Sequence, residues 1–254
     1  MLIIRDFSTS VKGAWRTALT IAKKTGKLAS GGLLGSRDCL LCLDNAGMRA
    51  LCPPCERLFT RAGTACPACA RPQAIPGPCG RCLQRQSPLD ALVAGFDYRF
   101  PLDRLIHRFK FAGDLPAGDF LARSLARAVA GRPAPDLVLP SPASVRRLRE
   151  RGFNPAAVIS KRVAGEIGAP WHPGRLVKIR HTPPQTGLSR TARARNLRGA
   201  FRANGVEGLR VAVVDDVTTT GATLEALARA LRAAGATGVE GWVVARTPPP
   251  GKEG

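Results

Sequence analysis

The 254-residue chain predicts an α/β protein with a doubly wound parallel sheet, preceded by a small cysteine-stapled module. Three observations carry that expectation. From about residue 89 onward, short apolar runs alternate with stretches of helical period, as βα units require. All eight cysteines fall within residues 39–82, a segment rich in proline and glycine and poor in periodicity. Near the end, "VAVVDDVTTTGATLEALARAL" (211–231) runs from an apolar strand through two aspartates and a Thr/Gly turn into a helix.

Hydrophobic content of 44% and charged content of 22% describe an ordinary globular chain rather than a disordered one. No run approaches the roughly 18 apolar residues of a membrane span. Residues 1–36 lack the apolar core and cleavage pattern of a secretory signal, so a cytoplasmic location is expected. The net charge of +21 reflects either a bias toward arginine or a polyanionic partner, a phosphorylated small molecule or nucleic acid.

Three segments follow in order. Residues 1–36 form a basic extension in which Val11, Trp15, Leu19 and Ala22 share one helical face, ringed by Lys12, Arg16, Lys23, Lys24 and Lys27. A solvated basic helix or frayed tail is the expectation there. Residues 37–86 hold four C-x-x-C units, Cys39/Cys42, Cys52/Cys55, Cys66/Cys69 and Cys79/Cys82, separated by nine, ten and nine residues. Each unit places two thiolates on one tight knuckle, and two knuckles complete a tetrahedral four-cysteine zinc site. Nothing signals export, which disfavours disulfides. A redox C-x-x-C occurs singly at a helix start, not four in a row. Two structural Zn2+ ions are therefore expected. Sequential pairing gives a double zinc ribbon; pairing of the first unit with the third stays open.

Residues 89–247 supply the α/β domain. Strands are expected over 91–98, 136–142, 210–216 and 238–246, and helices over 119–130, 155–167 and 223–234. In the last helix Leu224, Leu227 and Leu231 share one face, and Gly235 stops it.

The acidic pair carries the chemistry. Asp215 and Asp216 fall at the carboxyl edge of a buried parallel strand, where such sheets bind ligands. Thr218, Thr219, Thr220, Gly221, Ala222 and Thr223 open the next helix, whose free N–H groups and dipole attract an anion. The loop has neither the lysine of a P-loop nor the G-x-G-x-x-G of a dinucleotide fold. Carboxylates would repel a phosphate but accept hydrogen bonds from a neighbouring diol. A phosphate beside a diol describes a ribose 5-phosphate.

This stretch resembles the phosphoribosyl pyrophosphate (PRPP) signature of type I phosphoribosyltransferases. By that resemblance Asp215 and Asp216 hold the ribose hydroxyls and 218–223 wrap the 5-phosphate. "DLVLPSPASVRRLRERGFNPAA" (136–157) resembles the strand and pyrophosphate loop of that fold, which assigns Arg146, Arg147 and Arg151 to the pyrophosphate, with Arg149 beside them. "RHTPPQTGLSRTARARNLRGAF" (180–201) stands where the family has a flexible closing loop, bringing in Gln185 and Arg190.

With "RGFN" and "FKFAG" (109–113), behind the cysteine pairs, the chain resembles the competence protein F (ComF) family from about residue 39 to 246. That resemblance implies a zinc-ribbon region joined to a phosphoribosyltransferase-like domain, a link to DNA uptake, and an active-site role for Lys110. Two departures stand out: Pro140-Ser141-Pro142 where the family has P-V-P, and Pro155 where it has glutamine. His107, His172 and His181 are isolated and expected to be non-catalytic.

Two functions follow. One is a phosphoribosyltransferase that binds PRPP with Mg2+ and transfers phosphoribosyl to an unidentified acceptor. The other is a non-catalytic module with a vestigial or regulatory PRPP site, binding single-stranded DNA or a DNA-uptake protein. Aromatic residues are 5% of the chain, so a DNA contact is expected to be driven by the backbone and steeply salt-dependent.

Overall fold

The computed structural model describes residues 37–59, 63–180 and 196–248. In chain order its elements are α1 (Pro53–Glu56), α2 (Gly80–Leu83), β1 (Ala91–Asp97), α3 (Leu102–Ala112), α4 (Leu115–Val129), β2 (Leu137–Pro140) and α5 (Val145–Arg151). There follow α6 (Pro155–Ile167), β3 (Leu176–Lys178), β4 (Phe201–Ala203), β5 (Arg210–Thr218), α7 (Ala222–Ala233) and β6 (Gly238–Arg246). Strands β1, β6, β5 and β2 form one all-parallel sheet in that spatial order, while β3 and β4 pair as a separate antiparallel hairpin.

Both faces of the sheet are covered, which is why its strands read as nearly unbroken apolar runs. Strand alternation divides β5 between two cores. Ala212 and Val214 face α3, α4 and α6 through Leu105, Leu121 and Ile159. Val211 and Val213 face α7 and the hairpin through Leu224, Leu227, Leu231 and Phe201. Helices on opposite faces of a parallel sheet are the doubly wound arrangement the alternation implied.

The departures from expectation have local causes. α4 begins at Leu115 because the Asp114 side chain accepts the Ala117 N–H at 3.0 Å and Pro116 sits in the first turn, where its missing N–H costs nothing. Pro155 occupies the corresponding place in α6, behind the Asn154 cap, so this departure from the family pattern suits a helix start. β5 does not stop at the aspartates but pairs with β6 through Thr218, opposite Arg246. α3 carries a clear helical period in Leu102, Leu105, Ile106 and Phe109 that the expectations above omit, whereas α5 and the β3–β4 hairpin are too short or too basic to show one.

The cysteine module packs on the sheet unit rather than standing apart. The Phe59 ring lies 5.9 Å from Phe96 and 5.3 Å from Phe120. Arg108 Nη1 donates to the Leu40 carbonyl at 2.8 Å, and Arg127 pairs with Glu56 at 3.1 Å. At the β1 edge, the Leu92 N–H donates to the carbonyl of Pro67 at 2.8 Å, so a cysteine knuckle satisfies a sheet-edge donor.

Candidate functional site

The site forms where β2 and β5 end side by side. Ser141 N–H donates to Val214 O at 2.8 Å, extending the strand pairing one residue past Pro140. This sets Ser141, 7% exposed, beside Asp215. Asn154 ties the next loop to the same point: its Nδ2 donates to Ser141 O at 2.9 Å while its Oδ1 accepts the Ala156 N–H.

Burial pushes the Asp215 carboxyl up to about 7, and the neighbouring Asp216 charge adds to the rise. The Asp216 N–H, Lys110 and the Ser141 hydroxyl oppose it without cancelling it. Asp216 is anchored differently. Lys110 Nζ lies 2.8 Å from its Oδ2, and its Oδ1 accepts the Val217 N–H at 2.6 Å. The adjacent carboxyls are thus unequal, one salt-bridged and one close to neutralisation at physiological pH. Such a pair can both accept and donate hydrogen bonds to vicinal hydroxyls.

Lys110 reaches the pair because α3 buries Leu102, Leu105, Ile106 and Phe109 and turns the lysine toward the sheet edge. Phe109 packs on Phe153 with ring centroids 5.5 Å apart, joining "FKFAG" to "RGFN". It also fills the space over Gly118, where an added Cβ would sit 2.5 Å from the ring.

The loop beyond the pair is built without an internal cap. Thr218 is buried in β5, and Gly221 takes a left-handed φ of 83°. No side chain of the N-cap position caps α7, and the Thr220 hydroxyl reaches the Ala222 N–H only at 3.4 Å. The first turn therefore presents backbone donors to an incoming anion. Glu225, the acid of that turn, is engaged by Arg85 and Arg229, each at 3.4 Å.

The basic residues divide. Arg146 pairs with Glu150 at 3.2 Å within α5. Arg151 lies over the Phe111 ring, 4.8 Å from its centroid. Arg147 faces the β3 side: burial, then the charges of Arg147 and Arg180, hold Lys178 below the usual lysine range. Gln185, Arg190 and His181 lie outside the described residues, as does the 1–36 extension. His107 packs on Phe111, and His172 Nδ1 accepts the Gly174 N–H. Neither approaches the acidic pair closely enough to pair with it in the described contacts. Sequence reasoning did not assign Ser141 or Lys178 to the site. A hydroxyl at a strand end opposite two aspartates was a usable signal for Ser141; a lone lysine in a three-residue strand offered none.

The cysteines gather as Cys39, Cys42, Cys52 and Cys55 and as Cys66, Cys69, Cys79 and Cys82, with each set's sulfur atoms within 4.8 Å of one another. Pairing is sequential, which removes the interleaved alternative. The second set repeats the first at an offset of 27 residues (39 to 66, 55 to 82). The offset extends to the bridges Asp38–Asn45 and Ala65–Pro72 and to the left-handed residues Leu43 and Ala70. Burial pushes the Cys39 thiol up, but hydrogen bonds from the Cys42, Cys52 and Leu41 backbone outweigh it and bring it to about 6. Four converging thiols fed by backbone N–H donors are a donor set that fits a closed tetrahedral Zn2+ site.

No family model matches the chain. A Salmonella typhi protein named DNA utilization protein YhgH is 38% identical over 205 residues, covering 78% of this chain and 90% of its own. Competence protein F of Haemophilus influenzae is 34% identical over 178 residues, covering 66% and 78% respectively. Competence protein ComFC of Bacillus subtilis is 28% identical over 227 residues, covering 80% and 91%. Among solved structures, a glutamine PRPP amidotransferase from B. subtilis overlaps 54% of this chain and 30% of its own, with a TM-score of 0.38 and 22% identity. At that identity and coverage of the H. influenzae and Salmonella proteins, this chain belongs to the competence protein F family.

Proposed function

We propose that the protein binds PRPP, or a related ribose 5-phosphate, and transfers the phosphoribosyl group to an acceptor in a role connected with DNA uptake. The observation that carries this reading is the adjacency of an uncapped helix start to two unequal carboxyls at one sheet edge. In this account the first-turn N–H groups of α7 and the hydroxyls of Thr219, Thr220 and Thr223 hold the 5-phosphate. Asp215 and Asp216 hold the ribose hydroxyls. Arg147, with Lys178 and Arg180, receives the pyrophosphate. The C1–O bond to pyrophosphate breaks ahead of bond formation from the acceptor to C1, the carboxyls stabilise the cation-like sugar between those events, pyrophosphate departs and the acceptor's proton passes to solvent.

Asp216 is occupied by Lys110 and Asp215 is prone to protonation, a poor donor set for a resident divalent metal. Mg2+ is therefore assigned to the PRPP itself, where it would neutralise the pyrophosphate charge. The zinc sites are structural: they hold the knuckles that carry Phe59 and Pro67 against the sheet. The DNA-uptake role is supported by the names of the H. influenzae and B. subtilis relatives. The test is calorimetric titration of PRPP with Mg2+ into zinc-loaded protein and into Asp215→Asn/Asp216→Asn. Saturable binding that the double variant loses supports the reading, and no binding to folded wild type rejects it.

A further inference from the structure

The two arginines that hold Glu225 come from different places. Arg229 stands one turn along α7, an ordinary i,i+4 pair. Arg85 arrives from 140 positions away, three residues past Cys82 and so on the second four-cysteine cluster. The acid between them sits at the phosphate loop. Its N–H donates to the Gly221 carbonyl at 2.9 Å, and its Oε1 would lie 4.0 Å from a Cβ placed on Gly221. The Glu225 side chain is 13% exposed, so water screens it only in part. A carboxylate in the first turn suits an empty helix start, where it meets the dipole, but it opposes a phosphate arriving at the same N–H groups. Its charge must be balanced for the loop to receive a dianion.

The cluster that carries Arg85 is seated against α7 by more than that pair. Ala70, the left-handed residue after Cys69, is buried in one core with Leu89, Leu92, Ala222 and Leu224. The α2 turn between Cys79 and Cys82 is closed by the Gln84 N–H on the Gly80 carbonyl, which sets the direction in which the chain leaves toward Arg85. The internal repeat supplies a comparison. At its offset of 27 residues Arg85 corresponds to Leu58, an exposed apolar residue, so the knuckle itself does not demand an arginine there. We propose that Arg85 is a positioning residue for the phosphate loop: it neutralises Glu225 from the second zinc cluster and makes phosphate affinity at α7 depend on that cluster. The inference rests on the ribose 5-phosphate reading above and extends it to the zinc module. By linkage, a phosphate at the loop also secures Arg85 and the zinc behind it.

The test is calorimetric titration of ribose 5-phosphate into the zinc-loaded full chain, in wild type, Arg85→Gln, Arg85→Lys, Glu225→Gln and Arg85→Gln/Glu225→Gln. Losing an ion pair of this exposure changes affinity by roughly 2- to 5-fold, so Arg85→Gln should bind more weakly by that factor. Arg85→Lys keeps the charge and should restore binding. In the Glu225→Gln background the Arg85→Gln change should have little effect, because no acid is left to balance. An equal loss in both backgrounds would mean that Arg85 meets the phosphate directly. Wild-type affinity in Arg85→Gln would mean that it does not act on the loop. Either result overturns the inference. Saturating ribose 5-phosphate should raise the chelator concentration needed to remove one zinc ion from wild type, and should not do so in Arg85→Gln. An unchanged concentration in wild type would break the link to the zinc cluster. Binding that Asp215→Asn/Asp216→Asn abolishes but Arg85→Gln leaves intact refutes this inference alone. Absence of binding to folded wild type refutes the reading beneath it, and the inference with it.

Discussion

The half-buried Asp215 makes a prediction that can be worked through to a number. Its carboxyl rises from 3.8 to about 7 in the folded protein, chiefly by burial and then by the charge of Asp216. A group whose folded value lies above its unfolded one binds more protons when native, so its contribution to stability declines as pH rises from about 4 to 7. A rise of that size corresponds to about 4 kcal/mol. Solvent reaches part of the side chain, so we expect about 2–4 kcal/mol. Asp215→Asn keeps an oxygen to accept the Asp216 N–H but removes the titration. Urea unfolding of zinc-loaded wild type and variant at pH 5 and pH 8 measures it. The comparison between proteins cancels the pH dependence that thiol ionisation gives to both. Asn should gain on Asp between the two pH values, the gap widening by about 1–3 kcal/mol in favour of Asn at pH 8, because part of the contribution is already lost by pH 5. A gap that stays constant would mean Asp215 is not held near neutrality, and the unequal-carboxyl account would fail.

Other outcomes follow from the same contacts. Ser141→Val removes the hydroxyl that opposes the rise at Asp215, so the pH at which PRPP binding changes should shift upward; an unchanged binding–pH profile would disconnect Ser141 from the site. Gly118→Ala drives a methyl into the Phe109 ring and should cost about 1–3 kcal/mol in denaturant unfolding. Chelating zinc should unfold the cysteine module and uncover Phe59, Phe96 and Phe120, seen as new binding of a hydrophobic dye, with two zinc ions released per chain. Gly221→Ala meets no close atom but forces a side chain into φ 83°; a loss of about 1–3 kcal/mol, or weaker phosphate binding, is expected.

Much of this architecture was legible in the chain because its signals are local. The strand runs are apolar on both faces, the four C-x-x-C units are evenly spaced, and Asp215–Thr223 carries its chemistry in consecutive residues. What sequence could not supply are relations between distant segments. Lys110 meets Asp216 across 106 positions only because α3 packs where it does. Ser141 becomes part of the site through strand pairing, and sequential zinc pairing follows from how each knuckle folds back. The strand boundary at β5 was misplaced because charged residues end an apolar pattern without ending the hydrogen-bond ladder, which continues to Thr218.

The most direct test of the central claim is a crystal structure of zinc-loaded protein with ribose 5-phosphate. The account predicts the phosphate at the N–H groups of Gly221–Thr223 and the sugar hydroxyls within hydrogen-bond reach of Asp215 and Asp216. A phosphate bound instead to the α5 arginines, with the sugar turned away from the aspartates, would contradict it.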